Sequence, residues 1–165
     1  MAKPGALFAG VRIVPLTDHA DDRGFFREVA RKSWRISKIG QVSVSKTKPG
    51  VIKAFHWHER QSDAWHLLQG RLIVGIHDLR KKSKSFGQTI LFEWDAKQKP
   101  CVLVIPKKVC HGYKVIGSKD ALMLYMMDKE YDSKKSDEKR ISHDDPSIGA
   151  NWDQKPGKAI TDFFP

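Results

Sequence analysis

The sequence predicts an all-β fold, a barrel or sandwich of short strands. Three observations predict it. Runs rich in Val, Ile, Phe, Trp and Tyr recur along residues 11–127. Gly, Pro, Asp and Lys-Ser clusters punctuate them at short spacing. Within Gln41-Val-Ser-Val-Ser45 the residues alternate strictly between apolar and polar, the period of a half-buried strand.

Taken in order, strands are expected at residues 11–15, 25–29, 41–46, 51–58, 65–77, 88–94, 101–105, 112–116 and 121–127. Only residues 29–37 read as helical before residue 120. Strands of this number and length suit a β-jelly roll. A chain of 165 residues fits a single domain spanning 1–165. The barrel core is expected at about 11–127. The segment 128–165 is charged and poor in apolar runs, and is expected to wrap the barrel as loops, short turns or short helices.

Composition narrows the function. Hydrophobic residues make up 40% and aromatics 10%, so disorder is not expected over most of the length. The net charge of +11 favours anionic partners, either nucleic acid or a phosphorylated small molecule. No long basic arm, zinc finger or RNP motif is present, so nucleic acid is not expected. Arg80-Lys81-Lys82 and Lys134-Lys135 read as solvated surface. The two cysteines, Cys101 and Cys110, form no disulfide framework and fit a reducing compartment. Cys110 adjoins His111 but sits in an apolar run, where a small buried hydrophobe is expected rather than a nucleophile. Met1-Ala-Lys-Pro-Gly5 lacks the apolar region of a signal peptide, and no apolar run reaches bilayer length. A cytoplasmic protein without a membrane partner is expected.

The residues that carry chemistry cluster on two strands. Alternation puts His56 and His58 on one face. Gly50 lies six residues before His56, Asp63 five after His58, and Gly70 seven after Asp63. This spacing resembles the first motif of the cupins, G-x5-H-x-H-x4-E-x6-G, with Asp63 in place of Glu. Pro106 to His111 resembles the second motif, P-x-G-x-x-H, with Lys108 in place of Gly. The resemblance implies a cupin double-stranded β-helix in which His56, His58, Asp63 and His111 converge as ligands for a divalent metal. The alternative is a polar barrel interior without metal.

A second resemblance covers residues 21–152. Asp21-Asp22-Arg23-Gly24-Phe25-Phe26-Arg27-Glu28 resembles D-x-R-G-x-F-x-E. Gly50-Val-Ile-Lys53-Ala-Phe-His56 resembles G-V-x-R-G-x-H, and His77-Asp78-Leu79-Arg80 with Ser85-Phe86-Gly87 resembles V-D-L-R…S-x-T-F-G. Pro106 to Tyr113 resembles P-x-G-x-A-H-G-F, while Tyr125 and Asp144-Asp145-Pro146 match late motifs. All are motifs of the dTDP-4-dehydrorhamnose 3,5-epimerase family, itself a cupin family, and they occur here in the family's order.

That resemblance implies epimerisation of a nucleotide-linked 4-keto-deoxysugar by proton exchange beside the ketone, in cell-surface or secondary-metabolite sugar synthesis. The implied base is His56, oriented by Asp145, and the implied proton donor is Tyr125. Arg23, Phe26 and Glu28 are implied nucleotide contacts, with Gln41, Lys53 and His111 as further substrate contacts. The implied partners are a nucleotide-diphosphate sugar and a second copy of the chain, and no cofactor is required. Three positions depart from the pattern. Lys53 replaces the family Arg, Ser43 replaces the Asn of Q-x-N, and Asp63 stands where the family Lys steadies the enolate. Burial could keep Asp63 protonated, or a metal held by the four ligands could replace the lysine as Lewis acid. Two further readings therefore stay open, a metal-dependent cupin enzyme and a non-catalytic sugar-nucleotide-binding module. His66 is expected outside the cavity, and Trp57 and Trp65 in core or dimer packing.

Overall fold

The computed structural model describes residues 5–8, 10–34, 36 and 38–164. Thirteen strands are described: β1 (Gly5–Phe8), β2 (Val11–Pro15), β3 (Asp18–Asp21), β4 (Gly24–Arg27), β5 (Gln41–Thr47), β6 (Ile52–His58), β7 (Asp63–Gln69), β8 (Arg71–Asp78), β9 (Thr89–Asp95), β10 (Cys101–Ile105), β11 (Val109–Ile116), β12 (Ala121–Met127) and β13 (Glu138–Arg140). They form a six-stranded sheet in the order β1-β2-β10-β7-β12-β5, a five-stranded sheet in the order β13-β6-β11-β8-β9, and the separate hairpin β3-β4. Every strand pairing is antiparallel. Two antiparallel sheets closed over one core make the expected jelly-roll barrel.

Alternation decides what each strand buries. On β7, Trp65 and Leu67 enter the core between the sheets, while Ala64 packs on the outer face of the six-stranded sheet. On β11, Val109, Tyr113 and Val115 point inward and Cys110 outward, against Phe55, Ile148 and Trp152. The outer face of the five-stranded sheet is thus covered by the C-terminal segment, with the Trp152 ring 5.2 Å from Phe55. Both cysteines are free and buried, and burial pushes their thiols up to about 12, as expected of inert hydrophobes.

Two sequence expectations change at particular residues. The run 65–77 is two strands, because Gly70 adopts φ +92°, a left-handed conformation that suits the turn between β7 and β8. The helical reading of 29–37 reduces to one 3-10 turn at Lys32–Trp34; residues 35 and 37 lie outside the described residues. The C-terminal segment, read as loops, turns or short helices, also contributes a strand. In β13, Glu138 pairs with His58 and Arg140 with His56.

One irregularity shapes the interior. The β6–β11 pairing slips between His111↔His56 and Tyr113↔Lys53, so three steps on β6 match two on β11. The extra residue inverts the parity of β6 and turns Lys53 toward the same cavity as His56. Gly112 sits opposite the bulge, where a Cβ would lie 2.3 Å from the Ala54 Cβ. Gly112→Ala is expected to lower stability by about 1–3 kcal/mol, read by urea unfolding.

The β8–β9 connection is organised by Asp78, whose side chain is fully buried. Its Oδ1 accepts from the Arg80 amide and Nε at 3.0 and 2.7 Å, and its Oδ2 from Arg80 Nη2 and Ser85 Oγ at 2.8 and 2.6 Å. Burial alone would raise the Asp78 pKa. The hydrogen bonds from Arg80, Ser83 and Ser85 outweigh it and hold the carboxyl well below its usual value. A depressed carboxylate stabilises the fold above its unfolded-state pKa of about 4, and the contribution drains away as pH falls below that value. Melting temperature is therefore expected to drop on acidification from pH 5 to pH 3, more steeply in the wild type than in Asp78→Asn.

Candidate active site

A cavity of about 1060 Å³ opens between the two sheets, large enough for a nucleotide sugar. His56, His58 and Lys53 reach it from β6, Asp63 from β7, Tyr125 from β12, and Gln41 and Ser43 from β5. The β13 segment and its approach add Lys129, Lys135, Asp137, Glu138 and Arg140. Lys53, Lys107, Lys129 and Lys135 on this wall have no ion-pair partner among the described residues, which leaves them available for phosphate.

The histidines and Asp63 converge at the inner end. One donor atom from each of His56, His58, Asp63 and His111 lies within 4.8 Å of all the others. Asp63 Oδ2 is 3.2 Å from His111 Nε2 and 3.6 Å from His58 Nε2. Its other oxygen accepts from the Gln61 amide at 2.7 Å. His111 Nδ1 donates to the Val109 carbonyl at 2.8 Å, which fixes the ring and turns Nε2 toward Asp63. His111 Nε2 and His58 Nδ1 are buried without a hydrogen-bond partner. Burial alone would raise the Asp63 pKa, but His111, His58 and the Gln61 amide hold it at about 2. It is a carboxylate, so burial does not keep it protonated. Asp137 clamps the loop between His58 and Asp63, accepting from the Arg60 and Gln61 amides at 2.8 and 3.1 Å.

His56 is different. Its ring lies edge-on to His111 with centroids 4.3 Å apart, and among the described residues it makes no hydrogen bond. Burial, then the neighbouring His111, push its pKa well below the usual imidazole value, so the ring is neutral. Tyr125 faces the cavity from the opposite sheet. Its hydroxyl is 3.0 Å from Tyr113 Oη and accepts from Ser45 Oγ at 3.1 Å, and Tyr113 Oη lies 3.0 Å from Thr47 Oγ1. Burial first, then Tyr113, raise the Tyr125 pKa, so the phenol keeps its proton. Trp65 is fully buried between these groups, its ring 5.1 Å from His111, 5.6 Å from Tyr125 and 6.3 Å from His56.

The structure thus brings together His56, His58, Asp63, His111, Tyr125, Gln41 and Lys53. It leaves the other expected residues elsewhere. Asp145 is not beside His56: it sits in an exposed turn, where Oδ1 accepts from the Ser147 amide and hydroxyl at 2.9 and 2.5 Å. An Asp before Pro closes its own turn, and that local bond wins here. Arg23 pairs with Asp21 at 2.6 Å in the β3-β4 turn, Glu28 pairs with Arg31 at 2.5 Å, and Phe26 is 66% exposed. None of the three lines the cavity of its own chain. His66 lies outside it as expected, donating from Nδ1 to the Cys101 carbonyl at 2.8 Å.

Sequence reasoning missed Gln61, Tyr113 and Asp137. Tyr113 occupies the Phe of the family motif H-G-F, a departure that was visible. Nothing in the local sequence marks Asp137, which reaches the site only through the β13–β6 pairing.

A jelly-roll barrel whose cavity presents imidazoles from one sheet and a phenol from the other defines a cupin of the sugar-isomerase kind. The family model for dTDP-4-dehydrorhamnose 3,5-epimerase matches residues 6–162. The chain belongs to the dTDP-4-dehydrorhamnose 3,5-epimerase family. It is 44% identical to the spore coat polysaccharide biosynthesis protein SpsL of Bacillus subtilis (strain 168), over 87% of this chain and 95% of that one. It is 36% identical to the probable low-salt glycan biosynthesis epimerase Agl13 of Haloferax volcanii, over 86% of this chain and 92% of that one. Among solved structures, the Legionella pneumophila epimerase RmlC in complex with dTDP-4-keto-L-rhamnose superposes with a TM-score of 0.80 at 22% identity, covering 98% of this chain and 90% of that one. Among the described residues no helix is long and apolar enough to cross a membrane.

Proposed function

We propose that the chain epimerises a nucleotide-diphosphate-linked 4-keto-deoxysugar in polysaccharide or glycan synthesis. The carrying observation is the placement of a neutral imidazole, His56, and a protonated phenol, Tyr125, on opposite sheets of one cavity. A carbon beside a ketone is acidic enough to exchange its proton when a base takes it from one face and an acid returns one to the other. His56 is the base and Tyr125 the acid. Gln41 and the unpaired lysines hold the nucleoside and diphosphate. Because only protons move, the reaction needs no redox cofactor. The relatives named for polysaccharide and glycan synthesis support the substrate class.

Incubation in deuterated water with dTDP-4-keto-6-deoxyglucose and related nucleotide sugars is expected to place deuterium at carbon 3, carbon 5 or both. No exchange with any member of such a panel would overturn the reading, and exchange removes the alternative of a non-catalytic binding module. Tyr125→Phe is expected to slow turnover by about 10²-fold, with first-step washout of the substrate proton less affected, as removal of the acid alone dictates.

We further propose a cytoplasmic homodimer in which a second copy brings Arg23, Phe26 and Glu28 to the nucleotide. The exposure of Phe25 and Phe26 on the hairpin, and of Val42 and Val44 on edge strand β5, supports it. Light scattering at micromolar concentration reads the outcome.

A further inference from the structure

We infer that His58, Asp63 and His111 bind one divalent transition-metal ion, and that His56 stays outside the ligand set. The first argument is distance. Two ligands each about 2.1 Å from one ion lie about 3.0 Å apart in adjacent octahedral positions and about 3.4 Å apart in a tetrahedron. The separation of 3.2 Å from Asp63 Oδ2 to His111 Nε2 falls in that range, and the 3.6 Å to His58 Nε2 lies just beyond the tetrahedral value.

The second argument is the hydrogen-bond inventory. With His111 Nδ1 taken up by the Val109 carbonyl, Nε2 faces the Asp63 carboxylate, buried and without a hydrogen-bond partner. An ion between that nitrogen and the carboxylate oxygen, 3.2 Å apart, would engage both. Among the described residues no lysine or arginine pairs with Asp63; its only ion-pair partners are the two histidines. All three groups are buried, with His58 7%, Asp63 4% and His111 2% exposed. A buried carboxylate without a cation is costly.

The third argument is the supporting shell. Metal-bound imidazoles are held by acceptors on their other nitrogen, and metal-bound carboxylates by donors on their free oxygen. The Val109 carbonyl does the first for His111 and the Gln61 amide the second for Asp63. Two imidazoles and one carboxylate with open positions select Fe, Mn, Co, Ni or Zn over Mg or Ca. His56 has a nitrogen within the 4.8 Å group but makes no ion-pair contact with Asp63, so its lone pair is left for the substrate.

When bound, the ion supplies a Lewis acid for the enolate oxygen, the task the family assigns to the lysine that Asp63 replaces. That role rests on the epimerase reading; binding itself does not.

The test is elemental analysis of untagged protein, with cobalt(II) titration of chelator-treated wild type followed by visible absorption. About one ion per chain and a cobalt spectrum with imidazole coordination are expected. His58→Gln, Asp63→Asn and His111→Gln are each expected to weaken cobalt binding at least about 10–100-fold, with circular dichroism confirming the fold. His56→Gln is expected to keep the ion and lose deuterium exchange. Wild type that takes up none of these metals overturns the site. Equal loss of metal in His56→Gln overturns the exclusion of His56. Metal binding without exchange on any keto-sugar keeps the site and sinks the epimerase reading, whereas exchange by a protein that takes up no metal keeps the epimerase reading and sinks the site.

Discussion

Replacing His56 with asparagine is expected to cut deuterium exchange by about 10³-fold, the scale of losing a positioned general base. Three observations set the direction. The ring faces the cavity, has no hydrogen-bond partner among the described residues, and is kept neutral by burial and by His111. A neutral, uncommitted lone pair is what proton abstraction requires, and asparagine removes it while keeping a polar side chain. The barrel is held by core residues that His56 does not join, so the melting temperature is expected to move by no more than a few degrees. Steady-state kinetics on a 4-keto-sugar nucleotide, with a thermal melt on the same preparation, checks both halves. Activity within tenfold of wild type would remove His56 from the chemistry.

Trp65→Ala is expected to have the largest effect on stability. Trp65 is fully buried, pairs across β7 with Leu103 and Tyr125, and stacks edge-on against His111, Tyr113 and Tyr125. Truncating a fully buried tryptophan costs about 3–5 kcal/mol. For a chain of this size that lowers the melting temperature by about 10 °C. The cavity left behind also frees His111 and Tyr125 to shift, so turnover is expected to fall with stability. Trp65→Phe retains a ring and is expected to recover most of both. Urea unfolding of the two variants measures the difference; a loss under about 1 kcal/mol for Trp65→Ala would show that the aromatic cluster does not hold the two sheets together.

The legible parts of the sequence were those written in a local period. The strict alternation of Gln41 to Ser45 gave β5, and the H-x-H spacing gave two inward imidazoles on β6. Ordered motifs supplied the family, and with it Tyr125 and the cavity. What failed depended on pairing that no local pattern encodes. Strict alternation along β6 would point Lys53 away from His56, and it is the β6–β11 bulge that turns it inward. Asp145 was expected on His56, and its own turn captures it. Residues 138–140 carry three charged side chains and no β-formers, yet pair with β6 because the backbone of that edge needs partners. Arg23, Phe26 and Glu28 carry a family motif, yet they lie outside the cavity of their own chain, a placement that no local pattern states.

The account stands on one spatial relation, a sugar ring held between His56 and Tyr125. A crystal structure with a bound nucleotide-diphosphate sugar measures it directly. The predicted result places a carbon adjacent to the sugar carbonyl about 3–3.5 Å from a His56 ring nitrogen, with the Tyr125 hydroxyl on the other face and the diphosphate among the cavity lysines. A sugar bound away from His56, or a nucleotide seated outside the barrel with the cavity empty, would contradict it.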